Sequence, residues 1–330
     1  MQLNTPVEIS QKISITHESE IMLIGSCFVQ NIGKRLCELK FNADVNPFGI
    51  MYNPFSISAA IKRIVTGEQF GTASNKLVFH NEQWHSMLHH SDFSHRDKEI
   101  ALNRINERLT AAHRNIANLD VLIVTPGTAY VYKNKKDGTV VGNCHKLPAN
   151  IFERSLLSVE EIVQELGETI DTLLNLRPEL KIVFTVSPIR HLRDGAHGNR
   201  ISKATLLLAV EELCRRFPNN SEYFPAYEIV LDELRDYRFY AEDMVHPSTV
   251  AIEYIWERFS DFCFDRTQLQ LNKDIMEIVR AMAHRPFDEE AESYRRFIGN
   301  VLYKIERIVD KHPLIDFSKD ISRCNTLLSR

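Results

Sequence analysis

The sequence predicts a three-layer α/β/α sandwich built on a parallel sheet, followed by a helical C-terminal extension. Three observations carry that prediction. Short apolar runs, Ile21–Ile24, Val121–Val124 and Ile182–Phe184, are strand-length and read as buried strands. Between them lie stretches with apolar residues every three or four positions, the period of a helix with one buried face. Each strand run is followed by a loop rich in glycine or polar residues. Strands alternating with helices imply right-handed crossovers and parallel neighbours.

Taken in order, residues 1–19 are polar and irregular and are expected to run over the surface. Ile21–Ile24 forms the first strand, Gly25 permits a tight turn, and Ser26 stands where a helix begins. Phe28, Ile32 and Leu36 then mark one buried helix face. Phe41–Val45 is a second strand, followed by the turn-forming loop Asn46-Pro-Phe-Gly49. Pro54 opens a helix through Ile57, Ala60, Ile61 and Ile64, which Gly67 closes. Around residues 76–95, apolar positions alternate loosely with His80, His85, His89, His90 and His95, predicting a β-hairpin or lid-like insertion.

Residues 95–118 read as helix, Asp120–Val124 as a strand, 158–176 as helix and Lys181–Thr185 as a strand. A polar loop, Ser187 to Gly195, precedes an amphipathic helix over 200–217, and Tyr223–Val230 is the expected last strand. Pro247 starts a helix through Ile252, Ile255 and Phe259. The expected organisation is one domain over 1–265 and a charged helical extension over 266–330.

The formal net charge of −4 and the lack of any basic run leave no footprint for nucleic acid. The six cysteines are scattered, with no C-x-x-C pair, which suggests reduced thiols in a reducing compartment. No segment is long and apolar enough to cross a bilayer, and Met1–Pro6 begins no signal sequence. A cytoplasmic protein without membrane contact is expected. The histidines of 80–95 match no metal-ligand spacing and have no nearby cysteine, so no metal and no cofactor are expected.

In a parallel sheet the loops after successive strands converge on one edge. Here that edge would gather Ser26, Gly49, Gly127 with Thr128, Arg190 with His191, and Asp243 with His246. Ser, His and Asp in one cleft are the parts of an activated hydroxyl: the imidazole takes the proton and the carboxylate fixes its tautomer. A three-residue step lets one turn present both Asp243 and His246. Cys27 competes with Ser26, but adjacent helical side chains diverge by about 100°, so only one of them faces the cleft. Cys27 is expected to pack inward. Arg190 and His191 read either as a helix-flanking pair or, for Arg190, as a bidentate partner for a carboxylate or phosphate.

Gly25-Ser-Cys-Phe-Val29 closely resembles the motif that names the GSCFA family, with Val29 in place of its alanine. That family is similar to the SGNH, or GDSL-like, hydrolases, whose sheet is flavodoxin-like. Further matching stretches are Asn46–Gly49, Gly127–Ala129, Asn143–Lys146, Ser187–His191 and Asp243–Ser248, so the resemblance covers about residues 20–265. It implies a serine-dependent esterase or acyl hydrolase acting on an acylated carbohydrate or a related small ester. Ser26 would be the nucleophile, His246 the base and Asp243 its orienter.

Two departures stand out. The usual Gly-Asp-Ser is here Gly25-Ser26-Cys27, and the third block, usually Gly-x-Asn-Asp, here reads Gly127-Thr128-Ala129-Tyr130 and lacks the Asn that donates to the oxyanion. Losing one such donor costs ~10²–10³ in turnover. The Ser26 and Gly49 amides with Asn46, Thr128, Asn143 or His145 are the candidates to supply the hole. The alternatives are an acyltransferase to sugar hydroxyls on the same residues and a glycan-binding protein that retains the fold. The C-terminal tail is expected either to cover its own domain or to support a homodimer.

Overall fold

A computed structural model describes residues 5–71, 77–288 and 291–329. Strand β1 (Ile21–Gly25) leads into helix α1 (Cys27–Glu38), then β2 (Ala43–Val45) and α2 (Pro54–Thr66). A hairpin follows, β3 (Leu77–His80) against β4 (Gln83–Ser86), and then α3 (Lys98–Ile116) and β5 (Val121–Thr125). The expected hairpin is therefore present; its first residue, Lys76, lies outside the described residues. Next come β6 (Tyr130–Asn134), β7 (Val140–Val141) and β8 (Phe152–Leu156), a small antiparallel sheet of order β7-β6-β8. Sequence reading missed it because these short strands are only partly buried and carry weak alternation.

The chain continues through α4 (Val159–Leu176), β9 (Lys181–Phe184), α5 (Gly195–Arg216), β10 (Ser221–Tyr223) and the single turn α6 (Ala226–Glu228). It ends in α7 (Thr249–Cys263), α8 (Arg266–Ala283), α9 (Glu292–Lys311) and α10 (Ser318–Leu328). The main sheet has the order β10-β9-β5-β1-β2, and every pairing in it is parallel. This is the flavodoxin-like order, with its switch point between β1 and β5, where the loops at the carboxyl ends diverge and leave a crevice.

Side chains alternate across the sheet. Ile21, Leu23, Val121, Ile123 and Val183 face a core shared with α1 and α7, while Met22, Ile24, Leu122, Val124, Ile182 and Phe184 face α2 to α5. Ile275, Ile278, Ile298 and Ile305 of the C-terminal helices, with Phe317 just before α10, join the first of these cores. The tail thus covers its own domain on the α1–α7 side.

Two expectations are corrected. Tyr223–Val230 is not one strand: β10 stops at Tyr223, and Ile229–Glu233 forms a π-helical turn after α6. Pro225 offers no N–H to a ladder, and Ile229 and Val230 reach the core from that turn instead. The lead-in is not wholly superficial either. Ile13 and Ile15 are buried, and the Lys12 and Ile15 amides donate to the carbonyls of Phe262 and Cys263; residues 1–4 lie outside the described ones. Among the described residues no helix is long and apolar enough to cross a membrane.

Candidate active site

The site begins where β1 meets α1 at the switch point. Gly25 has φ +149°, and a Cβ there would collide with the Thr125 backbone, so only glycine lets β1 and β5 end this close together. The Ser26 amide then donates to Thr125 O at 3.0 Å. Ser26 is extended, caps the helix and accepts from the Phe28 amide at 3.3 Å, with its side chain buried. Cys27 is the first helical residue and half-buried, and its Sγ stands 3.7 Å from His246 Nε2. The expectation had Ser26 facing His246 and Cys27 packed inward. The Cys27 expectation is corrected, since its thiol meets His246, while the Ser26 hydroxyl caps the helix.

His246 comes from the loop between β10 and α7. Asp243 Oδ1 accepts the amides of Val245 and His246, both at 2.9 Å, and Oδ2 meets His246 Nδ1 at 2.5 Å. Met244, at φ +57°, supplies the left-handed step that closes this turn. The His246 amide, its ring N–H and the Val245 amide hold the Asp243 carboxyl down at about 2. With Nδ1–H donated to Asp243, the lone pair of Nε2 is presented to the thiol. Burial pushes the Cys27 thiol above its usual range, against the opposing pull of nearby helix amides and Lys203. It is therefore a protonated thiol whose ionisation requires a base. The Asp243 and His246 side chains are each 50% exposed, so this edge is an open rim.

The other expected residues divide. The Ser26 amide is spent on Thr125 O and the Gly49 amide on Asn46 O at 2.7 Å, so neither is free for an oxyanion. Gly127 and Thr128 donate their amides to Tyr52 O, and the Thr128 hydroxyl bonds Ser202 at 3.0 Å. Asn143 accepts the His145 amide, and His145 stacks on His85 with ring centres 4.5 Å apart. Its Nε2 meets Ser86 O at 2.8 Å, so Asn143 and His145 brace the hairpin.

Asn46 is different. Its Oδ1 accepts the Gly25 amide at 2.9 Å, while its buried Nδ2 has no partner among the described residues. His191 lies at the rim: its Nε2 would be 3.1 Å from a Cβ on Gly127, and that Cβ 3.5 Å from Ser26 Cβ. Burial, with Lys203 and Arg154, lowers its pKa to about 4 and keeps the ring neutral at pH 7. Arg190 stacks on Tyr240 and donates to its hydroxyl at 3.1 Å.

Lys203 escaped the sequence reading. It is 1% exposed, and its ammonium donates to Gly127 O at 2.6 Å and Ser187 O at 2.5 Å, tying together the loops after β5 and β9. Burial lowers its pKa to about 7, with Cys27 and Asp194 pulling the other way. The signal was there: position 203 falls on the buried stripe of Leu206, Val210 and Leu213, where an unpartnered lysine is costly.

The GSCFA family model matches residues 20–259, and the model for the C-terminal domain of GSCFA proteins matches residues 275–330. No curated protein matches the chain. Among solved structures, a family 3 carbohydrate esterase from Talaromyces cellulolyticus is 10% identical, with TM-score 0.36, over 78% of this chain and 99% of that one. The acetyl xylan esterase Est2A from Butyrivibrio proteoclasticus is 10% identical, with TM-score 0.37, over 75% and 66%. A Clostridium thermocellum family 3 carbohydrate esterase is 12% identical, with TM-score 0.31, over 80% and 98%. Likeness this distant carries no argument about chemistry, which rests on the residues themselves.

Proposed function

The chain belongs to the GSCFA family, and from that premise we propose that it is an acyl hydrolase acting on small or sugar-borne esters, with Cys27 as its nucleophile. One observation carries the reading: the relay from Cys27 Sγ through His246 to Asp243, at 3.7 Å and 2.5 Å. Sγ attacks the acyl carbonyl carbon while His246 Nε2 takes the thiol proton. The tetrahedral intermediate collapses, the ester C–O bond breaks, and the leaving alkoxide takes that proton from His246. Water then attacks the thioester, again giving a proton to His246, and the acid departs as the thiol is restored. Asp243 holds the ring and offsets its charge in both halves.

The oxyanion forms beside the first turn of α1. The Cys27 amide has no main-chain partner there among the described residues, and the helix N-terminus favours negative charge. Asn46 Nδ2 is the second donor in this reading, taking the part of the absent third-block Asn. The half-exposed His246 and Asp243 leave room for an acyl group on a bulky carrier such as a carbohydrate. A nucleophilic thiol must stay reduced, which fits a cytoplasmic setting.

Acyl trapping tests this. With 4-nitrophenyl acetate under rapid quench, the acetyl group is expected on the Cys27 peptide and should be released by neutral hydroxylamine, as thioesters are. Acetyl on Ser26, stable to hydroxylamine, would sink the assignment.

A further inference from the structure

Beside the rim, between the start of α5 and the loops after β9 and β10, is a cavity of about 530 Å³. Arg190, His191, Asn199, Arg200, Tyr227 and Tyr237 line it, and among the described residues no carboxylate does. Neither guanidinium has a carboxylate partner among the described residues; Arg190 has only Tyr240. Gly195, the first residue of the 22-residue helix α5, also lines the cavity. Asp194, at the cap position, makes no side-chain bond to that helix, because its carboxylate is paired with Arg154. Two guanidiniums with no ion pair among the described residues and a helix N-terminus without a side-chain cap therefore share one space.

An adjoining cavity of about 470 Å³ shares Arg190 and Arg200 and adds Arg235, together with Asp232 and Asp236. Asp236 is occupied by the Arg238 amide and lies 3.7 Å from its guanidinium. Two of the first cavity's lining residues lead to the active site. His191 stands against Gly127, and Arg190 is bonded to Tyr240, which bridges to Pro247 directly after His246.

We propose that this cavity is a subsite for an anionic group, a phosphate or a carboxylate, carried by the substrate away from its ester bond. The inference rests on the acyl-hydrolase reading for its place in catalysis, but the binding itself does not need turnover. A planar guanidinium pairs two N–H donors with two oxygens of either anion. The rim next to it would then read the carrier of the acyl group, and neutral esters would lose that anchor.

Two arms test it. Calorimetric titration compares phenyl phosphate, benzoate and phenol on the wild type, Arg190→Gln and Arg200→Gln. At least one anion is expected to bind where phenol does not, and either substitution should weaken it about tenfold or more. Whichever anion binds more tightly distinguishes phosphate from carboxylate. Arg200 is exposed, so its variant carries the test if Arg190→Gln fails to fold.

The second arm measures kcat/KM for 4-acetoxyphenyl phosphate, 4-acetoxybenzoate and phenyl acetate. The anionic-to-neutral ratio should drop about tenfold in each variant. Arginine-dependent binding with no ester turnover would sink the hydrolase and leave the subsite standing. Turnover without anion preference, or variants that bind the anions as the wild type does, would overturn the subsite alone.

Discussion

Cys27 Sγ stands 3.7 Å from His246 Nε2, and the hydroxyl of the preceding Ser26 accepts the Phe28 amide at 3.3 Å as a helix cap. On the proposed reading the two adjacent side chains have separable roles, one chemical and one structural.

Replacing each in turn should separate those roles. Cys27→Ala is expected to lose ~10³-fold or more in kcat/KM. Ser26→Ala should instead cost about 0.5–2 kcal/mol of stability through the lost cap, with turnover reduced less than about tenfold. Urea unfolding and ester kinetics on both variants check this, and the opposite pattern would restore Ser26 as nucleophile.

Asp243→Asn should lower kcat by ~10²–10⁴ with little change in stability. The amide no longer fixes the His246 tautomer, and a half-exposed pair contributes little to folding. Because the carboxyl is held at about 2, it stays ionised through mildly acid pH. No inflection in a kcat/KM profile between pH 4 and 9 is expected to belong to Asp243. A profile whose acid limb disappears in the Asn variant would contradict this.

Lys203→Met should reduce kcat and destabilise the fold. It strands the carbonyls of Gly127 and Ser187, each costing about 1–3 kcal/mol. The wild type adds a pH signature. The folded pKa of about 7 lies below the unfolded value, so between them the unfolded chain binds more protons and stability rises with pH. A neutral amine still has two N–H groups for the two carbonyls. Urea midpoints for wild type minus variant should therefore grow from pH 7 towards 10, and a flat difference would mean that Lys203 keeps its proton in the fold and its pKa is not lowered.

His89 makes a prediction of the same sign on the acid side. It stacks on Phe48 at 4.3 Å and bonds Ser86 Oγ at 2.8 Å, and burial, helped by His145, lowers its pKa to about 3. His145 is lowered to about 4, mainly by burial. As pH falls from about 6.5 towards 3 the unfolded state takes up protons first, so stability is lost across that window. His89→Gln should flatten the slope; an unchanged slope would mean other groups dominate acid unfolding.

Much of the layout could be read from residue order alone. Apolar runs such as Ile21–Ile24 and Val121–Val124 can be buried on both faces only in a covered parallel sheet, and the sheet is of that kind. The three-residue step from Asp243 to His246 is equally local: one turn brings their side chains together whatever the rest of the chain does. The GSCFA motif and its companion stretches identified the family. Where local signals were weak, as at β6 to β8, or where Pro225 broke an apolar run, the reading missed or overextended a strand.

Which neighbour faces His246 was a different matter. Ser26 and Cys27 differ by one position, and the choice depends on how far the cap turns before α1 begins and where the β10–α7 loop lands. Nor could residue order say that Gly49 and Ser26 spend their amides internally, or that Lys203 sits beneath two loops. Periodicity in the chain determines which faces are buried, because burial follows from pattern. The partner of a given atom is decided by contacts between residues far apart in sequence, and only the packed fold sets those distances.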